Sequence, residues 1–106
     1  MGGGLLTSIP FITTSCGDKL ANQTISGNQT LSGGQRIAGS QEYNTTATTV
    51  ATWTIAATDG SQLPNGIKME SNKLTWDDTL SYGQYSITIK CKASNYNDAT
   101  YPVTLT

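Results

Sequence analysis

Apolar and polar residues alternate most cleanly over residues 84–93, where Tyr85, Ile87, Ile89, Cys91 and Ala93 share one parity and Ser86, Thr88, Lys90 and Lys92 the other. A period of two sends successive side chains to opposite faces of an extended chain, so this run predicts an antiparallel strand with one dry and one wet face. The pattern recurs upstream. Ala51, Trp53, Ile55 and Ala57 alternate with Thr52, Thr54 and Ala56, which predicts a half-buried strand with Trp53 at the centre of the core. Asp59-Gly60, Asn65-Gly66 and Ser71-Asn72 then supply turn formers, and the short runs 66–69 and 73–76 between them read as a hairpin. Residues 95–98 give a further turn and residues 99–106 a last strand, in which Pro102, having no N–H, belongs at an edge or bulge. No helical periodicity runs beyond two turns. The expectation is an all-β chain folded as an antiparallel β-sandwich.

The pattern changes character at the N-terminus. Met1-Gly2-Gly3-Gly4 is followed by Leu5, Leu6, Ile9, Phe11 and Ile12, apolar without strict alternation. Two readings compete for residues 1–15. One is an apolar arm that packs onto the domain or onto a neighbouring subunit. The other is a degenerate signal segment ending at Ser15-Cys16, where a lipoprotein-type cleavage would leave a lipid anchor on Cys16; against it stand the missing Lys or Arg ahead of Cys16 and the break at Pro10. Residues 22–33 then repeat a hexad, Asn22-Gln23-Thr24-Ile25-Ser26-Gly27 and Asn28-Gln29-Thr30-Leu31-Ser32-Gly33. Two copies are too few for a solenoid, so the repeat reads as two short strands separated by glycine.

Composition narrows the function classes. The chain has 106 residues, the size of one domain, and only 12% of them are charged, with a net charge of −1. Such a surface offers no electrostatic footprint for nucleic acid, and no insertion into a membrane is expected. There is no histidine, which removes Ser-His-Asp and Cys-His nucleophile systems and most zinc sites. Asp77-Asp78, with Asp59 or Glu70, could form a loop calcium site, but the spacing lacks the pattern of an EF-hand and a solvated turn is the simpler reading. No phosphate-binding glycine loop is present, so no catalytic residue, metal or cofactor is assigned. Cys16 and Cys91 could close a loop of about 75 residues, worth roughly 4–5 kcal/mol if bridged, or remain free thiols. Among the aromatics, Trp76 reads as buried beneath the hairpin, whereas Tyr82 and Tyr96, beside turns, are the candidates for exposed rings that stack on a glycan or anchor a protein partner.

Over residues 50–106 the chain resembles the bacterial family of immunoglobulin-like modules that recur in surface proteins. The resemblance is carried by Trp53-Thr54-Ile55, Leu63-Pro64-Asn65-Gly66-Ile67, Lys73-Leu74-Thr75-Trp76, Gly83-Gln84-Tyr85-Ser86-Ile87-Thr88-Ile89 and Tyr101-Pro102-Val103-Thr104-Leu105. It implies an immunoglobulin-like sandwich over residues 16–106, preceded by the N-terminal arm over residues 1–15. The antibody-type pattern would place a Tyr two residues before the second Cys, and Ile89 stands there instead. The functional expectation is a non-catalytic structural or display module on an outer surface, bacterial or phage, held by protein partners in a larger assembly, with further copies of itself one candidate for the partner. The alternative is an adhesin-type module binding a glycan or receptor.

Overall fold

A computed structural model describes residues 20–32 and 37–106. Within them the alternating run of residues 84–93 becomes the middle of the larger sheet, because both of its edges are paired. Nine strands form among the described residues: β1 (Ile25–Ser26), β2 (Thr30–Leu31), β3 (Gly39–Glu42), β4 (Asn44–Thr45), β5 (Ala51–Ala57), β6 (Ile67–Glu70), β7 (Lys73–Trp76), β8 (Tyr85–Ala93) and β9 (Ala99–Leu105). No helix occurs among these residues. The chain is an all-β sandwich.

One sheet has the order β2-β9-β8-β5, with Ile89 facing Tyr101 of β9 on one side and Ile55 of β5 on the other. The opposing layer is built from β3-β7-β6 and the pair β1-β4, which share a continuous run of chain because β4 follows β3 after Tyr43 alone. Read together, these orders match the seven-strand immunoglobulin arrangement, with β1 and β2 as halves of the first strand and β3 and β4 as halves of the second. Among the described strands every pairing is antiparallel except that of β2 with β9, which is parallel, Leu31 lying opposite Leu105; an isolated bridge between Ala21 and Tyr96 is also parallel. Pro102 faces Thr88 of β8 with its ring nitrogen on the β2 side, just ahead of the β2 pairing at Thr104, where no ladder donor is needed.

The two layers bury one apolar cluster. Ile67, Leu74 and Trp76 come from one side, Ile87, Ile89, Cys91, Val103 and Leu105 from the other, and Ile25, Leu31, Tyr43 and Leu80 complete it. Each fully buried aliphatic side chain among them contributes about 1.5–3 kcal/mol relative to exposure. The expectation for Cys91 holds: it points inward, a free thiol buried in the core, and burial pushes its pKa up. Trp76 is buried as well. Trp53 is a correction. It is only half-buried, because β5 is the outer strand of its sheet and no described strand covers its far side. The centre is held instead by Tyr43, Leu74, Ile87, Ile89 and Leu105.

The hexad repeat explains how the first strand serves both layers. Ile25 of the first copy pairs across to β4 in one layer, and Leu31 of the second copy pairs with β9 in the other. The switch falls at Gly27. Its φ of +151° is rarely adopted by L side chains, and a Cβ there would run into the Tyr43 ring, with Tyr43 Cε2 only 2.7 Å away. Two phenols clamp this turn: Tyr43 donates to the Asn28 carbonyl at 2.5 Å and Tyr101 to the Gly27 carbonyl at 2.7 Å, their rings meeting edge to face at 5.9 Å. Burial, and secondarily the neighbouring Tyr101, pushes the Tyr43 pKa up to about 12. The repeated glutamines stitch the switch down on either side. Gln23 Nε2 donates to the Cys91 and Asn97 carbonyls, and Gln29 Nε2 to the Pro102 carbonyl.

Replacing Gly27 with Ala should therefore cost about 2–4 kcal/mol, from backbone strain plus overlap with a ring that has nowhere to go. Gly60→Ala, at φ +84° but with nothing within 4 Å, should cost only about 1–2 kcal/mol. Urea denaturation of both variants checks the difference, and equal costs would mean that the Tyr43 contact does not constrain the turn.

Candidate interaction surface

Among the described residues the sandwich is open on one flank. β5 pairs only with β8, and β6 only with β7, so each ends its layer with an unpaired edge among the described residues. The Thr58 N–H donates to the Ser86 carbonyl, which fixes the alternation of the ladder. Thr52, Thr54 and Ala56 therefore direct their N–H groups into the sheet, while Ala51, Trp53, Ile55 and Ala57 direct theirs outward. An edge of this kind is a template for a further strand.

Between the two edges lies an open groove of about 600 Å³. Trp53 and Ile55 line it from β5, Ile67 and Met69 from β6, and Leu63 and Pro64 from the connecting turn. All but Ile67 are only half-buried. The turn is closed by the Ile67 N–H donating to the Pro64 carbonyl, the role expected of the Leu63-Pro64-Asn65-Gly66-Ile67 motif. Thr54, Asn65, Lys68 and Glu70 form a polar rim. An apolar floor, a polar rim and a row of outward backbone groups together suit an extended peptide better than a small polar ligand.

A second, smaller depression of about 440 Å³ lies at the far end of β5, lined by Asp59, Gln62, Leu63, Pro64, Gln84 and Tyr85 among others. Asp59 is committed to its own turn, where its Oδ1 accepts from the Ser61 N–H at 2.9 Å, and the bonds from Ser61 lower its pKa. Tyr85 donates to the Ser81 carbonyl at 2.8 Å and so ties down the corner before β8, its ring half-buried.

The candidate residues do not converge on one site. Tyr82 is 72% exposed in the segment ahead of β8 and is not among the residues that line the second depression. Tyr96 lies at the opposite end of β8, half-buried, its hydroxyl 3.3 Å from Thr48 Oγ1, and the bonds from Thr48 lower its pKa. Asp77 bonds Thr79 within its own turn, which lowers its pKa. No group of three or more His, Cys, Asp or Glu that could hold a metal occurs among the described residues. Leu5, Leu6, Ile9, Phe11, Ile12 and Cys16 lie outside the described residues. Sequence reasoning missed the flank itself. Its signal was the weak alternation of residues 51–57, in which the outer face is Thr52, Thr54 and Ala56 and the apolar face has small alanines at both ends.

No family model and no curated protein matches this chain. Solved structures do. Two chains from Bacteroides fragilis, a "putative alpha-galactosidase" and a "putative alpha-galactosidase/melibiase", superpose with a TM-score of 0.63 at 12% identity over 83% and 82% of this chain. The matched region is 18% of each of those chains, so the likeness concerns the fold of one part of a longer polypeptide.

The assignment of outward and inward amides is checked by proline. Ala57→Pro removes an N–H that bonds nothing in the ladder and should cost about 1 kcal/mol or less, whereas Ala56→Pro removes a ladder donor and orphans the Thr88 carbonyl, costing about 2 kcal/mol more. Equal losses in chemical denaturation would mean that the outer edge is not free.

Proposed function

We propose that this chain is a non-catalytic structural or display module of the immunoglobulin-like kind, held on an outer surface, of a bacterial cell or a phage particle, by protein–protein contacts. The single observation that carries this reading is the flank where the β5 edge, unpaired among the described residues, stands beside an apolar groove. Backbone donors and acceptors of this kind recognise another backbone. The reading is supported from two further sides. Three polar side chains near the core are spent on the fold itself: Gln23, Tyr43 and Thr45 bond backbone or one another, while the buried Trp76 Nε1 has no hydrogen-bond partner among the described residues. The same architecture also occurs as a fraction of longer chains, as a module does.

Glycan binding is the second reading. Its support is the exposed Tyr82 ring, two residues ahead of Gln84, which with Gln62 lines the second depression, together with structural neighbours named as galactosidases. The two readings use different surfaces, so they separate experimentally.

The test returns tagged chain to the source organism's surface fraction. The intact chain should co-purify with that fraction. The double variant Ala51→Pro/Ala57→Pro, which blocks the outer edge, should be reduced at least tenfold while its denaturation midpoint stays close to that of the parent. Undiminished retention of the edge-blocked variant, with loss on Tyr82→Ala and signal on a glycan array, would replace the structural reading by the glycan reading.

A further inference from the structure

Lysine, proline, a bulge or a very short strand usually keeps a second chain from adding to a sheet edge. Among the described edges, β1, β2 and β4 have two residues each, β3 has four and includes Glu42, and β6 has four and includes Lys68 and Glu70. β5 has none of these devices. It runs for seven residues, Ala51–Ala57, with no charge, no proline and no bulge in its ladder to β8. Its Trp53 and Ile55 remain only half-buried, beside the half-buried Leu63 and Met69.

The strand is also complementary to itself. Its outward backbone groups belong to Ala51, Trp53, Ile55 and Ala57, which are placed symmetrically about Thr54. In an antiparallel pair, the residues that exchange both hydrogen bonds lie directly opposite each other. A two-fold axis at Thr54 therefore sets Trp53 against the partner's Ile55 and Ala51 against the partner's Ala57, and every outward residue of the strand is used. An axis at Trp53 or at Ile55 would leave one end of the strand without a counterpart in the other. The same register suits the side chains. On the groove face the indole lies beside an isoleucine, a favourable aromatic with β-branched pair, and not beside a second indole. On the outer face Thr54 meets the partner's Thr54, whose hydroxyl it can bond.

Charge favours the same arrangement. Lys90 stands opposite Thr54 in the β8 ladder, so the two copies of it would lie three strand spacings apart, about 14 Å. That exceeds the screening length of about 8 Å at physiological ionic strength, and the two cations repel little. The groove is lined by Trp53, Thr54 and Ile55 on one side and by Ile67, Lys68, Met69 and Glu70 on the other, which puts Thr54 level with the middle of β6. The β6 edges of two copies related by this axis run antiparallel, so each Lys68 approaches the partner's Glu70. We propose that two copies of this chain join through β5, antiparallel about a two-fold axis at Thr54, so that the four-stranded sheet of one continues into that of the other and the two grooves close on each other. Both copies use the same surface, so the contact closes at a dimer. This deepens the structural reading above and rests on it, naming the partner at the β5 edge as a second copy of this chain.

Sedimentation of the full chain over a wide concentration range, together with oxidative cross-linking, tests the inference. The intact chain should pass from monomer to dimer and no further. Thr54 is exposed in the single sandwich, so Thr54→Lys should leave the monomer's denaturation midpoint unchanged while its two cations, facing across the axis, raise the dimer dissociation constant at least tenfold. Lys68→Glu should weaken the dimer severalfold, and Lys68→Glu with Glu70→Lys should restore it. In a Cys16→Ser background, Thr54→Cys should give a disulfide-linked dimer under mild oxidation, because residues facing each other between hydrogen-bonded pairs have Cα atoms about 4.5 Å apart. Thr52→Cys in the same background should not, because that register sets Thr52 against the partner's Ala56. A chain that is monomeric at every concentration overturns the inference. So does a dimer indifferent to Thr54→Lys, a double charge reversal no better than the single one, cross-linking that is equal from both positions, or a series of oligomers beyond the dimer. A monomer that still joins a surface fraction through the β5 edge removes this inference alone, whereas a dimer without any surface retention removes the display reading alone.

Discussion

The contact on which the rest of the sandwich depends is the Tyr43 ring lying against the backbone of Gly27. Neither half of the first strand could serve its own layer without a turn at that point, and only glycine leaves room for the ring. Tyr43 in turn occupies the break between β3 and β4, where its N–H donates to the Asn72 carbonyl and its carbonyl accepts from Asn72 Nδ2. Two chain segments thus change partners at the same place, one on glycine and the other on tyrosine. The phenol pair, Tyr43 and Tyr101, satisfies the carbonyls of Gly27 and Asn28 that the switch would otherwise leave unpaired.

What was legible in the sequence was the part governed by local periodicity. Residues 84–93 alternate because β8 is paired on both sides and covered on one face, and the structure returns that strand with Ile87, Ile89 and Cys91 fully buried. The hairpin of β6 and β7 followed from Ser71-Asn72, with Ser71 adopting a positive φ of 54° in the turn. Parity alone could not say whether an apolar face is covered. Trp53 has the pattern of a core residue yet lies at the flank, because coverage depends on the next strand in space and not on the strand's own sequence. Tyr43 was missed for the opposite reason: it stands alone among polar neighbours, and only the long-range approach of Gly27 makes it the centre.

The hexad repeat joins these levels. Its two apolar positions, Ile25 and Leu31, are buried in different layers, and its two glutamines brace different stretches of backbone around β9. The first strand is thereby committed to closing the sandwich on the β9 side. No described segment does the same on the β5 side, and the groove there keeps an apolar floor with outward amides above it. The asymmetry between a braced flank and an open one is what favours recognition of another backbone over recognition of a small molecule.

That asymmetry is measured most directly by amide hydrogen exchange along β5 in the full chain at a dilution that keeps it monomeric. The account predicts alternation: the Thr52, Thr54 and Ala56 amides protected by the β8 ladder, and those of Trp53 and Ile55 exchanging far faster despite their half-buried side chains. Uniform protection along the strand would contradict it, because it would mean that the flank is already closed within a single sandwich.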